Sequence, residues 1–288
     1  MTFKERFKIN DEVNFEDIEL GTDNMLFVDP YLIYISDDEL SVQCSNKIVD
    51  FFTKLLKYAK LGDKGNGYKL VKYLQENNEI RLGYSKGTPI GRGLGSNKGK
   101  ELFDILCKSK AVKTGLVSDI FDASIMIEKV GYDKISDLTI NIILYELIKY
   151  TQEQCKLYNV HTETVKLKRP VWCTEEEKWT MMESIQLPVF DNKPIILVPK
   201  NFVRPYLVYT YSRFYNIEML PHYEREVMKN PSCGLVKILK RGIVPSRTKI
   251  RKEYPCLKDN VISYIAEHPT DYEKYKYNQL NYVKEENL

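Results

Sequence analysis

The sequence has only two tryptophans and three histidines among its 288 residues, and none of its six cysteines forms a Cys-x-x-Cys pair. Cys44, Cys107, Cys155, Cys173, Cys233 and Cys256 are far apart, as are His161, His222 and His268. This excludes zinc-finger spacing, and free thiols in a reducing compartment are expected. Each histidine has polar, aromatic, Pro or Thr neighbours and reads as a satisfied surface group, and no Ser-His-Asp or Cys-His arrangement points to a nucleophilic hydrolase. No run approaches the roughly 18 apolar residues of a membrane helix. The start, MTFKERFKINDE, lacks the apolar region of a secretory signal. A cytoplasmic chain with no membrane partner is the expectation. There is no repeat of fixed period and no charge-rich block poor in hydrophobes.

What is present is a composition able to build a core: 43% hydrophobic residues, with 21 tyrosines, a ring that suits core edges and binding surfaces. The net charge of +3 hides a segregation of charge. Residues 1–43 carry eleven acids against three bases, whereas residues 229–258 carry nine bases against one acid. Residues 81–113 carry eight bases against two acids. Such a layout favours an anionic partner, or contact between the acidic and basic parts of the chain itself.

The pattern predicts an α+β protein: a helix-rich N-terminal part (1–162) with a central buried helix, and a smaller mixed strand and helix part (163–288). In MLFVDPYLIYI (25–35), Asp29-Pro30 reads as a turn between two extended pieces. Residues 45–60 have helical spacing, capped by Ser45 or Asn46, and 68–77 reads as a second helix. Helix is expected again from about 101, over 116–130, and in one long, nearly all-apolar run from Asp133 or Ser136 to about Tyr158. TVKLKRPVW and PIILVPK read as strands, with a turn at Asp191-Asn192. Short helices are expected over HYEREVMK, CGLVKILKR, TKIRKEY, LKDNVISYIAEH and DYEKYKYNQL.

Three constellations could carry chemistry. The first is the loop GYSKGTPIGRGLGSNKGK (83–100), with Lys86, Arg92, Lys98 and Lys100 among six glycines. Backbone N–H groups ahead of a helix can hold phosphate. It is not a Walker A loop: with Gly99-Lys100 in register, Leu94 occupies the first glycine position and Glu101 the Ser/Thr position. A Rossmann unit is not visible either. A tightly turned surface loop is the alternative. The second is the acidic group Asp119, Asp122, Asp133 and Asp137, able to take Mg²⁺ or simply to cap helices. The third pairs Glu183 with Lys200, an acid and a lysine that can meet only across a hairpin. Glu183 and Lys200 do not themselves form the acid-x-Lys spacing of restriction-type nucleases.

LFVDPYLI (26–33), LGYSKGTPIGRGLG (82–95), VGYDKISDLTINIILYELIKYTQEQC (130–155) and IILVPKNFV (195–203) occur in an order that resembles an uncharacterised bacterial family met among phage-defence and mobile-element genes. The resemblance covers about 25–205 and carries over no catalytic residue. It implies a defence context, and it directs testing to Asp29, the glycine loop, Asp133, Ser136, Asp137, Asn141 and Lys200.

These readings combine into two expectations. In the first, a defence protein engages nucleic acid, as a metal-dependent nuclease in its sharpest form. Asp133 and Asp137, with Asp119 or Glu183, would hold Mg²⁺, and Lys200 would stabilise charge on phosphate. Lys86, Arg92, Lys98, Lys100, Lys240, Arg241, Arg247, Lys249, Arg251 and Lys252 would hold the backbone. In the second, the chain is a non-catalytic adaptor or sensor docking a protein partner from the same operon. That Glu183 and Lys200 lack acid-x-Lys spacing favours that second expectation.

Overall fold

The computed structural model describes residues 1–83, 95–127, 129–206 and 209–286; for 95–97 and 280–286 only the backbone is described. Lys86 and Arg92 lie outside the described residues. The architecture is α+β and helix-rich in its N-terminal part, as the patterning predicts.

Helix α1 (Phe3–Phe7) opens on a capping box, Thr2 and Glu5 exchanging hydrogen bonds. Strand β1 (Phe27–Val28) then leads into α2 (Pro30–Ile35). The Asp29-Pro30 step therefore starts a helix, and does not separate two extended pieces. Asp29 Oδ1 accepts the Tyr31 N–H at 2.9 Å. Pro30 occupies the first helical position, where its missing donor costs nothing.

Helix α3 (Glu39–Leu61) begins earlier than its apolar spacing indicates, because Asp38 caps it through the Ser41 N–H at 3.0 Å. It ends at Gly62, in the left-handed region. Helices α4 (Lys64–Val71) and α5 (Gly95–Lys108) approach closely at Gly99, where an added Cβ would collide with the Val71 carbonyl. Gly99 thus serves helix packing. Two short helices follow, α6 (Lys110–Thr114) and α7 (Ile120–Met126).

The apolar stretch that reads as one long helix is two: α8 (Tyr132–Ile142) and α9 (Leu144–Leu157), broken at Ile143 (φ −96°, ψ 11°). Side chains inside α8 compete for its carbonyls. Thr139 Oγ1 donates to Ile135 O at 2.7 Å, and Asn141 Nδ2 to Asp137 O at 2.6 Å. Such back-bonding bends helices. Helix α8 is buried along most of its length, whereas α9 buries Leu144, Leu147, Ile148, Thr151 and Cys155 and exposes its other face, so only the first half of the apolar element is mostly buried.

Among the described residues the strands form five antiparallel pairs, each a separate two-stranded sheet. β2 (Glu163–Val165) pairs with β5 (Ile185–Leu187), and β3 (Val171–Cys173) with β4 (Lys178–Thr180). β6 (Val189–Phe190) pairs with β7 (Lys193–Pro194), and β1 with β8 (Val203–Arg204). Asp191 (φ 51°) and Asn192 (φ 57°) make the tight hairpin turn their residue types predict. PIILVPK is not a strand beyond Pro194. Ile195, Ile196 and Leu197 donate in turn to Pro188 O, Glu79 O and Thr151 Oγ1, three unrelated partners, so no ladder forms.

After α10 (Tyr211–Phe214) comes a π-helical turn, Tyr215–Met219, which continues into α11 (Leu220–Lys229). CGLVKILKR is not helical. Its β-branched residues build β9 (Val236–Leu239), which pairs with β10 (Gly242–Pro245) across Lys240-Arg241. Val, Ile, Gly and Pro all disfavour helix here, and Gly242 takes φ 127° at the turn. Helices α12 (Arg247–Glu253), α13 (Lys258–Glu267) and α14 (Pro269–Glu286) close the chain as the spacing predicts.

One buried cluster runs from Phe27 to Tyr275 and so draws on both parts of the chain. Trp172 lies edge-on to Phe51 at 5.0 Å and to Trp179 at 5.5 Å within it. A second, smaller cluster joins Phe3, Phe15 and Leu20 to Cys155, Ile195 and Leu197. All six cysteines are free thiols, as their spacing predicts. No helix among the described residues is long and apolar enough to cross a membrane.

Candidate phosphate and nucleic-acid interface

The start of α8 carries the first candidate group. Gly131 is the N-cap and offers no side-chain hydrogen bond. Ser136 does not cap this helix; its Oγ accepts the Val28 N–H at 3.0 Å and ties α8 to β1. Asp133 is exposed in the first turn and Asp137 is half-buried one turn on. Burial pushes the Asp137 carboxyl up to about 7, with the charges of Asp133 and Glu76 adding repulsion and those of Lys98 and Arg169 opposing it. Three acids and two cations thus share one electrostatic neighbourhood.

The segment after α4 is pinned beside this group. Asn141 Nδ2 donates to Gln75 O at 2.6 Å. The buried Arg169 donates to Glu76 O at 3.2 Å, to Asn77 Oδ1, and to Glu79 Oε2 at 2.5 Å. Lys98 and Lys100 are exposed on the first turns of α5, directly after the glycine-rich segment, and Lys100 lies over the Tyr68 ring at 5.6 Å. The charge of Lys98 therefore reaches Asp137, whereas Lys100 lies against Tyr68.

The other acids are disposed differently. Asp119 caps α7 through the Asp122 N–H and pairs with Lys276 at 2.9 Å. Burial, followed by the Asp122 charge, raises its carboxyl above the usual range. Glu183 is exposed beyond β4. Among the described residues, only His222, His268 and Asp271 bring three ligand-type side chains within 4.8 Å of one another. Asp119, Asp133, Asp137 and Glu183 are not gathered into one such set.

Lys200 belongs to a separate open recess of about 650 Å³, shared with Asn14, Asp38, Glu146, Lys149 and Glu153. Neither Asp133, Asp137 nor Glu183 lines it. Glu146 reaches Lys47 at 2.6 Å through Oε1, while its Oε2 is buried without a partner.

The basic C-terminal run separates into two kinds of cation. Arg247 grips Glu224 at 2.6 and 3.2 Å. Lys249 Nζ donates to Gly234 O and Val236 O, both at 3.0 Å, and Arg251 donates to Asn216 Oδ1 at 3.0 Å. These three hold the base of the β9–β10 hairpin and the end of α12. Lys237, Lys240, Arg241 and Lys252 are exposed and make no ion pair among the described residues. Three of those four stand on the hairpin itself.

Sequence spacing missed Glu76, Arg169 and Lys276, each of which acts through a partner far along the chain. It also missed the meeting of two histidines, since no metal motif links their positions.

The architecture and these groups define an α+β protein with an acidic helix start facing cations and a separate basic hairpin. Residues 7–210 match the model of a family described as a domain of unknown function, DUF8370, and the chain belongs to that family. No curated protein and no solved structure matches it. The acidic group, the glycine-rich segment and Lys200 all lie inside the matched span. The basic hairpin and α11 to α14 lie beyond it.

Proposed function

We propose that this is a cytoplasmic, bacterial defence-type protein that engages nucleic acid through its phosphate backbone. The observation that carries the reading is the set of uncommitted cations, Lys237, Lys240, Arg241 and Lys252, on and beside a protruding two-stranded hairpin. A two-stranded ribbon of this kind can enter a groove of duplex DNA. Lys98 and Lys100 add a second basic position at the start of α5. The order of motifs shared with phage-defence-associated proteins supports the defence setting.

In its sharpest form the reading is a metal-dependent nuclease. Asp137 and Asp133 are the kind of donor set that Mg²⁺ takes, the ion keeping waters and phosphate oxygens as its other ligands. Bound there, Mg²⁺ would supply neutralisation of phosphate charge. Asp137 releases its proton to accept a cation, Lys98 balances the surplus acid, and Arg169 holds the 76–79 segment in place. Lys200, in its own recess, is not needed for that step. The test compares Asp133→Asn and Asp137→Asn with wild type for melting, nucleolysis and phage protection. Undiminished melting with lost function in at least one variant supports the metal site. Normal function in both refutes it.

One observation favours an adaptor instead. The same hairpin exposes Ile238 (83%), Leu239 (50%) and Ile243 (48%), an apolar surface suited to a protein partner encoded in the same operon. Binding to a partner that survives high salt, with no measurable affinity for DNA or RNA at low salt, would move the assignment to that class.

A further inference from the structure

Two of the chain's three histidines meet in space although 46 positions separate them. His222 lies in the first turns of α11, and His268 ends α13. Their ring centroids are 4.6 Å apart at an interplanar angle of 53°. Asp271, in the first turn of α14, completes the group: one ligand atom from each of the three lies within 4.8 Å of the others, and all three side chains are half-buried. We propose that His222, His268 and Asp271 form a binding site for a zinc-class divalent ion, with a fourth position open to water or a ligand.

Several features support this beyond proximity. Two neutral imidazoles and a carboxylate are the donor set that zinc and its neighbours in the first transition row take. Among the described residues neither imidazole makes a side-chain hydrogen bond, so both keep a ring nitrogen available, whereas the carboxylate is already oriented. Tyr264 O–H donates to Asp271 Oδ2 at 2.6 Å, the kind of outer contact that fixes a metal-binding carboxylate. Glu226 and Arg225 also bring their opposite charges to bear on His222.

The backbone supplies a second, independent sign. The π-helical turn Tyr215–Met219 immediately precedes α11 and shifts the phase of its side chains. Such turns are rare and concentrate at functional sites. The ion would tie α11, the end of α13 and the start of α14 together, all beyond the family-matched span. This site is distinct from the acidic start of α8, and its test is independent of any nuclease activity.

The test is metal titration of the full chain after chelation, with Zn²⁺ followed by equilibrium dialysis and Co²⁺ by visible absorption. One ion per chain, with d–d bands and no thiolate charge-transfer band, is the expected result. His222→Ala, His268→Ala and Asp271→Asn should each weaken binding more than about tenfold, and Tyr264→Phe by about tenfold or more. Selective ¹⁵N labelling of histidine tests wild type directly: Zn²⁺ should shift two imidazoles and leave the third, His161, unchanged. This keeps the proposal falsifiable if a variant fails to fold. No bound ion, a thiolate signature, undiminished binding in the folded variants, or a shift of His161 alone would each overturn it.

Discussion

Lys276 Nζ lies 2.6 Å from Asp122 Oδ1, and this contact fastens α14 to α7. Asp122 is almost fully buried, and Tyr272 O–H donates to the same oxygen at 2.5 Å. Its other oxygen accepts the Ser118 N–H and O–H, both at 2.8 Å. Burial works against the Lys276 ammonium, but Asp122 and Asp119 more than compensate and raise its proton affinity. The acid pair at 119 and 122 is thus committed to joining the C-terminal helix to the family-matched part.

Lys276→Met should therefore destabilise the fold markedly. Removing one partner of a buried ion pair costs about 3 kcal/mol when the other charge is left behind. Urea unfolding at fixed pH measures it. A loss under about 0.5 kcal/mol, within the range of ordinary surface substitutions, would show that Tyr272 and Ser118 alone satisfy Asp122.

Asp137 sets a pH dependence with the opposite sign from a salt-bridged acid. Its folded value of about 7 is above the ordinary range, so its neutral form is the one the fold favours. The penalty for ionising it begins as pH rises past the unfolded value near ~3.9, grows through the folded value, and is complete above it. Asp137→Asn should raise melting temperature at pH 8, with a smaller gain at pH 5. Equal gains at both would place the Asp137 value in the normal range. Mg²⁺ added near pH 6.5 should release protons from wild type and not from the variant, as calorimetry in two buffers can show.

The committed and uncommitted cations of the C-terminal region should separate experimentally. Replacing Lys237, Lys240, Arg241 and Lys252 with Gln should leave melting unchanged and weaken nucleic-acid binding. Each lost phosphate contact should flatten the log–log salt dependence on duplex DNA by about 0.9. Reversing Lys249 and Arg251 should instead lower stability, because they hold Gly234, Val236 and Asn216. An unchanged salt slope in the Gln variant would remove the hairpin from the interface.

Gly99→Ala should cost about 1–3 kcal/mol by overpacking, since its Cβ would meet rigid Val71 backbone. Phosphate or nucleic-acid affinity should fall with it, because Lys98 and Lys100 flank the displaced turn. Thermal melting and a binding isotherm on the same preparation check both. Retained stability would mean that α4 and α5 can separate freely.

Much of the architecture is legible in local pattern. The apolar spacing of α3, the Asp191-Asn192 turn and helices α11 to α14 follow from residues within one or two turns of each other. Pro30 and CGLVKILKR (233–241) depart from their local pattern because one residue type serves two local structures. Proline starts helices as readily as it breaks strands, and a short apolar run has no decisive period. The sites were less legible, for a different reason. Lys276 finds Asp119 across 157 positions, and Arg169 finds Glu79 across 90. Spacing reports which residues share a face, not which distant face will approach it. The glycine-rich run shows the same limit: Gly99 reads as part of a phosphate loop but lies buried between two helices.

The second buried cluster has a consequence for how the chain is made. Phe3, Phe15, Ile18 and Leu20 pack against Ile195 and Leu197, and the backbone of Asn14 and Glu16 bonds to Lys200 and Val198. These residues precede Ile195 and Leu197 by 175 to 194 positions. At the ordinary pace of translation these apolar side chains wait about 10–40 s for that part of their cluster. Until Ile195 and Leu197 are made, Phe3, Phe15, Ile18 and Leu20 lack part of the surface that covers them in the fold.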